Sequence, residues 1–123
     1  MPFESRVDER NRVVLHIGHG ALSYEEVVDE VAAYCGSDNC TRHSLWDLRD
    51  ASLNRITSDE VQQLALRVVE HARKRTGIKD VCVARSGLDY GLCRMFGLLA
   101  DYDREQFSVF HNGDEALRWI ANS

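Results

Sequence analysis

Three polar residues, Asp47, Arg49 and Asp50, cluster at the end of a predicted strand. Two carboxylates side by side can perform acid–base catalysis when their surroundings raise one of the two pKa values. Arg49 lies between them in sequence, so the same residues also suit an ion pair or a hydrogen-bonded loop. The cluster therefore predicts either a site at this strand end or a structural loop, and an enzyme using Asp47 or Asp50 is the least favoured function.

A second polar group spans the end of a later strand and the start of the helix after it, at Arg85, Ser86 and Tyr90. An arginine beside a helix N-terminus is a natural site for an anion. A solvated loop would show the same residues. We take both groups together as candidate ligand-binding or partner-binding residues: Asp47, Arg49, Asp50, Arg85, Ser86 and Tyr90.

Motifs for nucleotide or nucleophile chemistry are incomplete or missing. Gly18-His19-Gly20 lies between a predicted strand and a predicted helix, as the first two glycines of a dinucleotide-binding G-x-G-x-x-G motif do. Ser23 occupies the position of the third glycine, so a tight turn is favoured over a dinucleotide site. The chain has no G-x-x-x-x-G-K-[ST] and no G-x-S-x-G. A triad assembled from distant residues stays open. We predict no catalytic residue, no cofactor and no metal site.

The four cysteines, Cys35, Cys40, Cys82 and Cys93, lack the spacing of a redox C-x-x-C. The first seventeen residues are too charged for a secretory signal. We therefore interpret the cysteines as reduced structural thiols in a cytoplasmic protein, with metal or redox work as the alternative.

Size and charge narrow the function classes further. The 123 residues suit a single domain, 1–123, and 44% of them are hydrophobic, enough for a core. No apolar run has the length of a membrane span. The net charge of −5 argues against nucleic-acid binding, which requires a positive face.

Hydrophobic periodicity predicts alternating strands and helices. Predicted strands cover 3–8, 12–17, 44–48, 81–84 and 107–110, and a third helix covers 90–100. Capping signals start the other three helices, at Ser23-Tyr24-Glu25-Glu26, Thr57-Ser58-Asp59-Glu60 and Asn112-Gly113-Asp114-Glu115. The order ββαβαβαβα predicts an α/β fold, with a mixed, mostly parallel five-stranded sheet and four helices. Ligands of such sheets bind beyond the carboxyl ends of the strands, where both polar groups fall.

This order of elements and three sequence stretches resemble the SpoIIAA-like family, the STAS/SEC14-type branch of the anti-sigma-factor-antagonist fold. The stretches are Leu45-Trp46-Asp47-Leu48-Arg49-Asp50, Tyr90-Gly91-Leu92-Cys93-Arg94-Met95-Phe96, and Val109-Phe110 followed by Glu115-Ala116-Leu117-Arg118-Trp119-Ile120. The resemblance covers nearly the whole chain. It implies a SpoIIAA/STAS-like fold.

The resemblance also implies two functions. In bacterial anti-sigma-factor antagonists, phosphorylation of a serine or threonine at the start of the helix after the third strand switches binding to a partner kinase. Thr57 and Ser58 stand there, without the family's preceding aspartate or its glycine, and Thr57 equally suits an N-cap. The second precedent is a lipid-carrying domain, whose cleft would be lined by Leu92, Met95, Phe96 and Leu99.

Taken together, these features predict a non-enzymatic binding or regulatory module that contacts a protein partner or a second copy of itself as a homodimer. The alternative is a small-molecule binder. Its ligand would be anionic at Arg85 and Tyr90, or apolar beneath the third helix.

Overall fold

The computed structural model of this chain describes residues 2–75, 77–85, 87–103 and 105–122. Its strands are β1 (Phe3–Asp8), β2 (Val13–Gly18), β3 (Gly20–Ala21), β4 (His43–Asp47), β5 (Ala51–Ser52), β6 (Asp80–Val83) and β7 (Phe107–Phe110). Five of them form one sheet in the order β1-β2-β4-β6-β7, while β3 and β5 pair separately. Only the β1–β2 pair in the large sheet is antiparallel. The predicted mixed, mostly parallel five-stranded sheet is confirmed.

Four helices connect these strands: α1 (Tyr24–Cys35), α2 (Ser58–Lys74), α3 (Leu88–Leu99) and α4 (Gly113–Ala121). Ser23, Thr57 and Asn112 accept hydrogen bonds from backbone amides three residues on, as the capping signals predict. The predicted element order is therefore confirmed. Within the described ranges, no helix combines the length and apolar character needed to span a membrane.

Several boundaries differ from the predicted ones. β6 begins at Asp80, one residue before the predicted start. An aspartate is typical of a loop in sequence, but Asp80 pairs with Ser44 and Phe107 in the sheet, and Arg75 neutralises its carboxylate. The third helix begins at Leu88, two residues before Tyr90. The two-residue strands β3 and β5 are not in the prediction, since so short a ladder leaves no hydrophobic pattern.

Helices cover both faces of the sheet. On one face, α4 packs its Ala116 and Ile120 against Val13, Leu45 and Val81. The opposite face carries α1, α2 and α3. Because β2, β4, β6 and β7 run in parallel, the loops that follow them converge at one edge of the sheet, where the predicted polar groups lie.

A buried charged cluster lies at the opposite edge of the sheet, where the parallel strands begin. Asp80 is only 5% exposed. It accepts hydrogen bonds from Ser44 Oγ at 2.6 Å, Arg75 Nη1 at 2.8 Å and Tyr102 Oη at 2.8 Å. Burial lowers the pKa of Arg75, but its pairing with Asp80 outweighs this and raises the pKa overall. The guanidinium also donates to the carbonyl of Cys40. This cluster ties four segments of chain to the start of β6.

A second buried polar contact joins β2 to α1. His16, 2% exposed, lies 2.7 Å from Glu30 through Nδ1 and stacks on Trp46 with ring centroids 3.9 Å apart. Burial lowers the pKa of His16, more than Glu30 raises it. The imidazole therefore packs as a neutral ring.

Candidate functional site

The first predicted polar group forms a bidentate ion pair. Arg49 donates from Nε to Asp47 Oδ1 at 2.9 Å and from Nη2 to Asp47 Oδ2 at 2.8 Å. These hydrogen bonds hold the pKa of Asp47 below its usual value. Asp47 is thus an ionised partner of Arg49 rather than a proton donor. Asp50 is exposed nearby, and its carbonyl accepts from the Gly20 amide at 3.1 Å, which joins the loops after β2 and β4.

The second predicted group lies at the same edge, beyond β6. Arg85 is exposed on the loop, and Tyr90 lies on the first turn of α3. Ser86 lies outside the described residues. Tyr90 stacks on His111, with ring centroids 4.3 Å apart, and His111 Nδ1 lies 3.3 Å from the Ala84 carbonyl. Sequence reasoning missed His111; its position directly after a parallel strand was the available signal.

Leu88 adds an exposed apolar side chain to this edge. It is 60% exposed and begins α3, two residues before Tyr90. We call the following set the carboxyl-edge surface: Asp47, Arg49, Asp50, Arg85, Leu88, Tyr90 and His111. It combines an ion pair, an aromatic stack and an apolar side chain.

The predicted phosphorylation residues begin α2. Thr57 Oγ1 accepts from the Glu60 amide at 3.1 Å, and Glu60 Oε1 accepts from the Thr57 amide at 3.0 Å. Both hydroxyl residues are exposed, and Ser58 is the first residue of the helix. Thr57 therefore has a capping role in this conformation. Phosphorylation of either residue stays a prediction.

A cavity of about 110 Å³ lies between the sheet and helices α1, α2 and α3. Leu92 and Phe96 line it, as the predicted apolar cleft requires, whereas Met95 and Leu99 do not, and Leu99 is 41% exposed.

Two polar atoms in the cavity wall are buried without a partner. Among residues 2–75, 77–85, 87–103 and 105–122, three buried side-chain atoms have no hydrogen-bond partner: Tyr24 Oη and His71 Nε2, whose residues line the cavity, and His16 Nε2, whose residue does not. Burial, followed by the nearby Arg75, lowers the pKa of His71. Most buried polar groups in proteins are hydrogen-bonded, so each of these atoms suggests a missing partner.

Thiols also line the cavity. Cys82 and Cys93 contact each other, and the hydrogen bond from Cys93 together with burial raises the pKa of Cys82. Burial raises the pKa of Cys35 to about 11. Thiols held in the protonated form are poor nucleophiles and poor metal ligands. Within the described ranges, no group of three or more histidine, cysteine or acidic residues could hold a metal ion.

A groove of about 450 Å³ runs beside β7 and α3. Leu98, 79% exposed, and Arg94 form its helical side. Gly97 packs against the ring of Phe107 on the floor of the groove, and a methyl group at Gly97 would overlap that ring. The groove is a second surface at which a partner could dock.

Comparison with known proteins identifies the fold. No family model matches the sequence, and no curated protein sequence matches it. Among solved structures, the chain is similar to an uncharacterised protein of the DUF3478 family from Shewanella loihica PV-4, which has a SpoIIAA-like fold. The two are 16% identical, with a TM-score of 0.56 over 96% of this chain and 91% of that chain. The chain therefore has a SpoIIAA-like α/β fold, as its sequence predicts.

Proposed function

We propose that this chain is a non-enzymatic regulatory module, which acts by binding a protein partner through the carboxyl-edge surface. The observation that carries the proposal is the start of α3, where Leu88 is 60% exposed and precedes Tyr90 of the Tyr90–His111 stack by two residues. Aromatic side chains and arginine, here Tyr90 and Arg85, are enriched at the centre of protein interfaces.

The Asp47–Arg49 ion pair gives this surface a rigid polar rim. Both carboxylate oxygens are bonded to the guanidinium, so a partner meets side chains that are already oriented. Preorganised groups lose less conformational freedom on binding. The lowered pKa of Asp47 fits this role better than the proton transfer that an enzyme would need.

The fold supports the proposal by analogy only, since one fold can host many functions. The solved structure that this chain is similar to has a SpoIIAA-like fold, and the resemblance to anti-sigma-factor antagonists implies binding of a protein partner. We extend that analogy to a cytoplasmic setting, which the four free cysteines fit. We further propose that phosphate on Ser58 would weaken docking by adding negative charge beside Asp59 and Glu60.

The test is affinity capture of the partner from an extract of the protein's own host, with three variants. Leu88→Glu should reduce capture at least ten-fold, because it places a charge at the centre of the contact. Leu66→Glu is the matched control: Leu66 is 67% exposed, on α2, and its change should leave capture intact. Leu98→Glu tests the groove beside β7.

Native mass spectrometry on the same samples shows whether the partner is a different protein or a second copy of this chain. Loss of capture in the Leu88 variant alone supports the proposal. Loss in the Leu98 variant alone moves docking to the groove and overturns it. A wild-type chain that stays monomeric and captures nothing also overturns it.

A further inference from the structure

The cavity above the sheet is the strongest feature that protein contact leaves unexplained. Its walls come from the sheet and from three helices, and they are dominated by apolar and aromatic side chains, among them Val27, Val31, Leu64, Trp46 and Phe96. Val27 and Val31 of α1 and Leu64 of α2 are only half-buried. The seam between α1 and α2 is therefore the route by which a small molecule could enter.

The volume limits what can occupy this space. An apolar protein cavity of roughly 150 Å³ is known to remain dry and to bind benzene. At about 110 Å³, this cavity has room for one aromatic ring after a small adjustment of its walls. A two-chain lipid is several times too large. Ordered water requires two to four polar partners in one place, so it cannot fill the apolar part of the cavity.

Topology places the two unpartnered polar atoms at opposite ends of the cavity. Tyr24 begins α1, so it lies towards the carboxyl edge of the parallel strands. His71 is in the last turn of α2, towards the amino edge and the Arg75–Asp80 pair. Glu60, in the first turn of α2, lines the Tyr24 end as well. The end at the carboxyl edge thus offers a hydroxyl and a carboxylate.

We propose that the cavity binds a small phenol, a single aromatic ring with one hydroxyl group. The ring packs between the apolar walls, and the hydroxyl forms a hydrogen bond with Tyr24 Oη. A bound phenol fills the empty volume and supplies the partner that the buried Tyr24 hydroxyl lacks. This site is separate from the carboxyl-edge surface and does not depend on protein docking there.

The test compares p-cresol with toluene, which differ only by the hydroxyl group. Dissociation constants are measured by ligand-detected NMR titration against wild type, Tyr24→Phe and His71→Phe. We expect both compounds to bind wild type. Tyr24→Phe should weaken p-cresol about ten-fold and leave toluene unchanged, since only p-cresol loses a buried hydrogen bond. His71→Phe should not change the difference between the two.

A cavity-filling variant locates the binding. Val31→Phe should abolish binding of both compounds while its far-ultraviolet circular dichroism matches wild type; Leu64→Phe serves the same purpose if the first variant does not fold. The proposal is wrong if wild type binds neither compound at millimolar concentration. It is also wrong if both filled variants bind as wild type does, or if p-cresol affinity follows His71 instead of Tyr24.

Discussion

Replacing Asp80 by asparagine keeps the shape of the side chain but leaves the Arg75 guanidinium as an unpaired buried charge. The side chains of Asp80 and Arg75 are 7% and 9% exposed, so little water can replace the lost partner. Removing one member of a buried ion pair costs about 3–5 kcal/mol. The single oxygen of asparagine can accept from one of the two hydroxyls of Ser44 and Tyr102, and its amide NH2 can donate to the other, so we expect a cost of about 3 kcal/mol.

This cost should be visible in both chemical and thermal unfolding. With an unfolding entropy of roughly 2.1 cal/mol/K per residue, 123 residues give about 0.26 kcal/mol/K. The melting temperature of Asp80→Asn should therefore fall by about 12 °C. Equilibrium urea unfolding monitored by circular dichroism gives the free energy of unfolding independently.

The matched control is Asp47→Asn, since Asp47 also pairs with an arginine but at the surface. The side chain of Arg49 is 45% exposed, so this change should cost no more than about 1 kcal/mol. The double variant Arg75→Met with Asp80→Asn should lose less free energy of unfolding than the two single variants lose together, because it leaves no unpaired charge. Equal losses in Asp80→Asn and Asp47→Asn, or strict additivity in the double variant, would refute the argument.

Three further predictions concern stability. Thr57→Ala should lower the free energy of unfolding by about 1 kcal/mol in urea because α2 loses its cap, whereas Ser58→Ala should have no such effect. Gly97→Ala should lower the free energy of unfolding by about 1–3 kcal/mol through overpacking. Gly91 is on the same helix with open space around it, so Gly91→Ala should raise the free energy of unfolding by about 0.5–1 kcal/mol. Changes of the same sign in the two variants would contradict this packing geometry. Burial lowers the pKa of His16 in the folded chain, so His16 takes up a proton more readily in the unfolded chain. The free energy of unfolding should therefore fall as the pH drops below about 6.5, the ordinary pKa of histidine. Urea unfolding at pH 7.5 and 5.5 should show this fall, and it should be smaller in His16→Gln.

The sequence predicts the features that short segments determine. Capping residues and hydrophobic spacing locate α1, α2 and α4, because a helix start depends on neighbours three or four residues apart. The sequence also predicts the edge at which the described members of both polar groups lie, since parallel strands bring their carboxyl ends together. Within these groups, the sequence also offered the Asp47–Arg49 ion pair as one of two interpretations.

Features formed by residues that are far apart in sequence cannot be predicted from local patterns. The Arg75–Asp80 cluster depends on Ser44 and Tyr102, which tertiary structure alone brings to β6. The Tyr90–His111 stack joins α3 to the end of β7. The cavity is harder still, because an unfilled volume depends on how far α1 stands from the sheet, and no residue type signals it.

The two outermost strands of the sheet, β1 and β7, differ in how they resist aggregation. β1 carries the exposed charges of Glu4 and Arg6, which discourage the addition of a foreign strand. β7 has the uncharged sequence Phe-Ser-Val-Phe and, among the described residues, pairs only with β6. β7 is protected from the addition of a foreign strand because it is short and because the acidic residues Asp103 and Glu105 lie just before it. Self-association of a destabilised variant should therefore begin at β7 and not at β1.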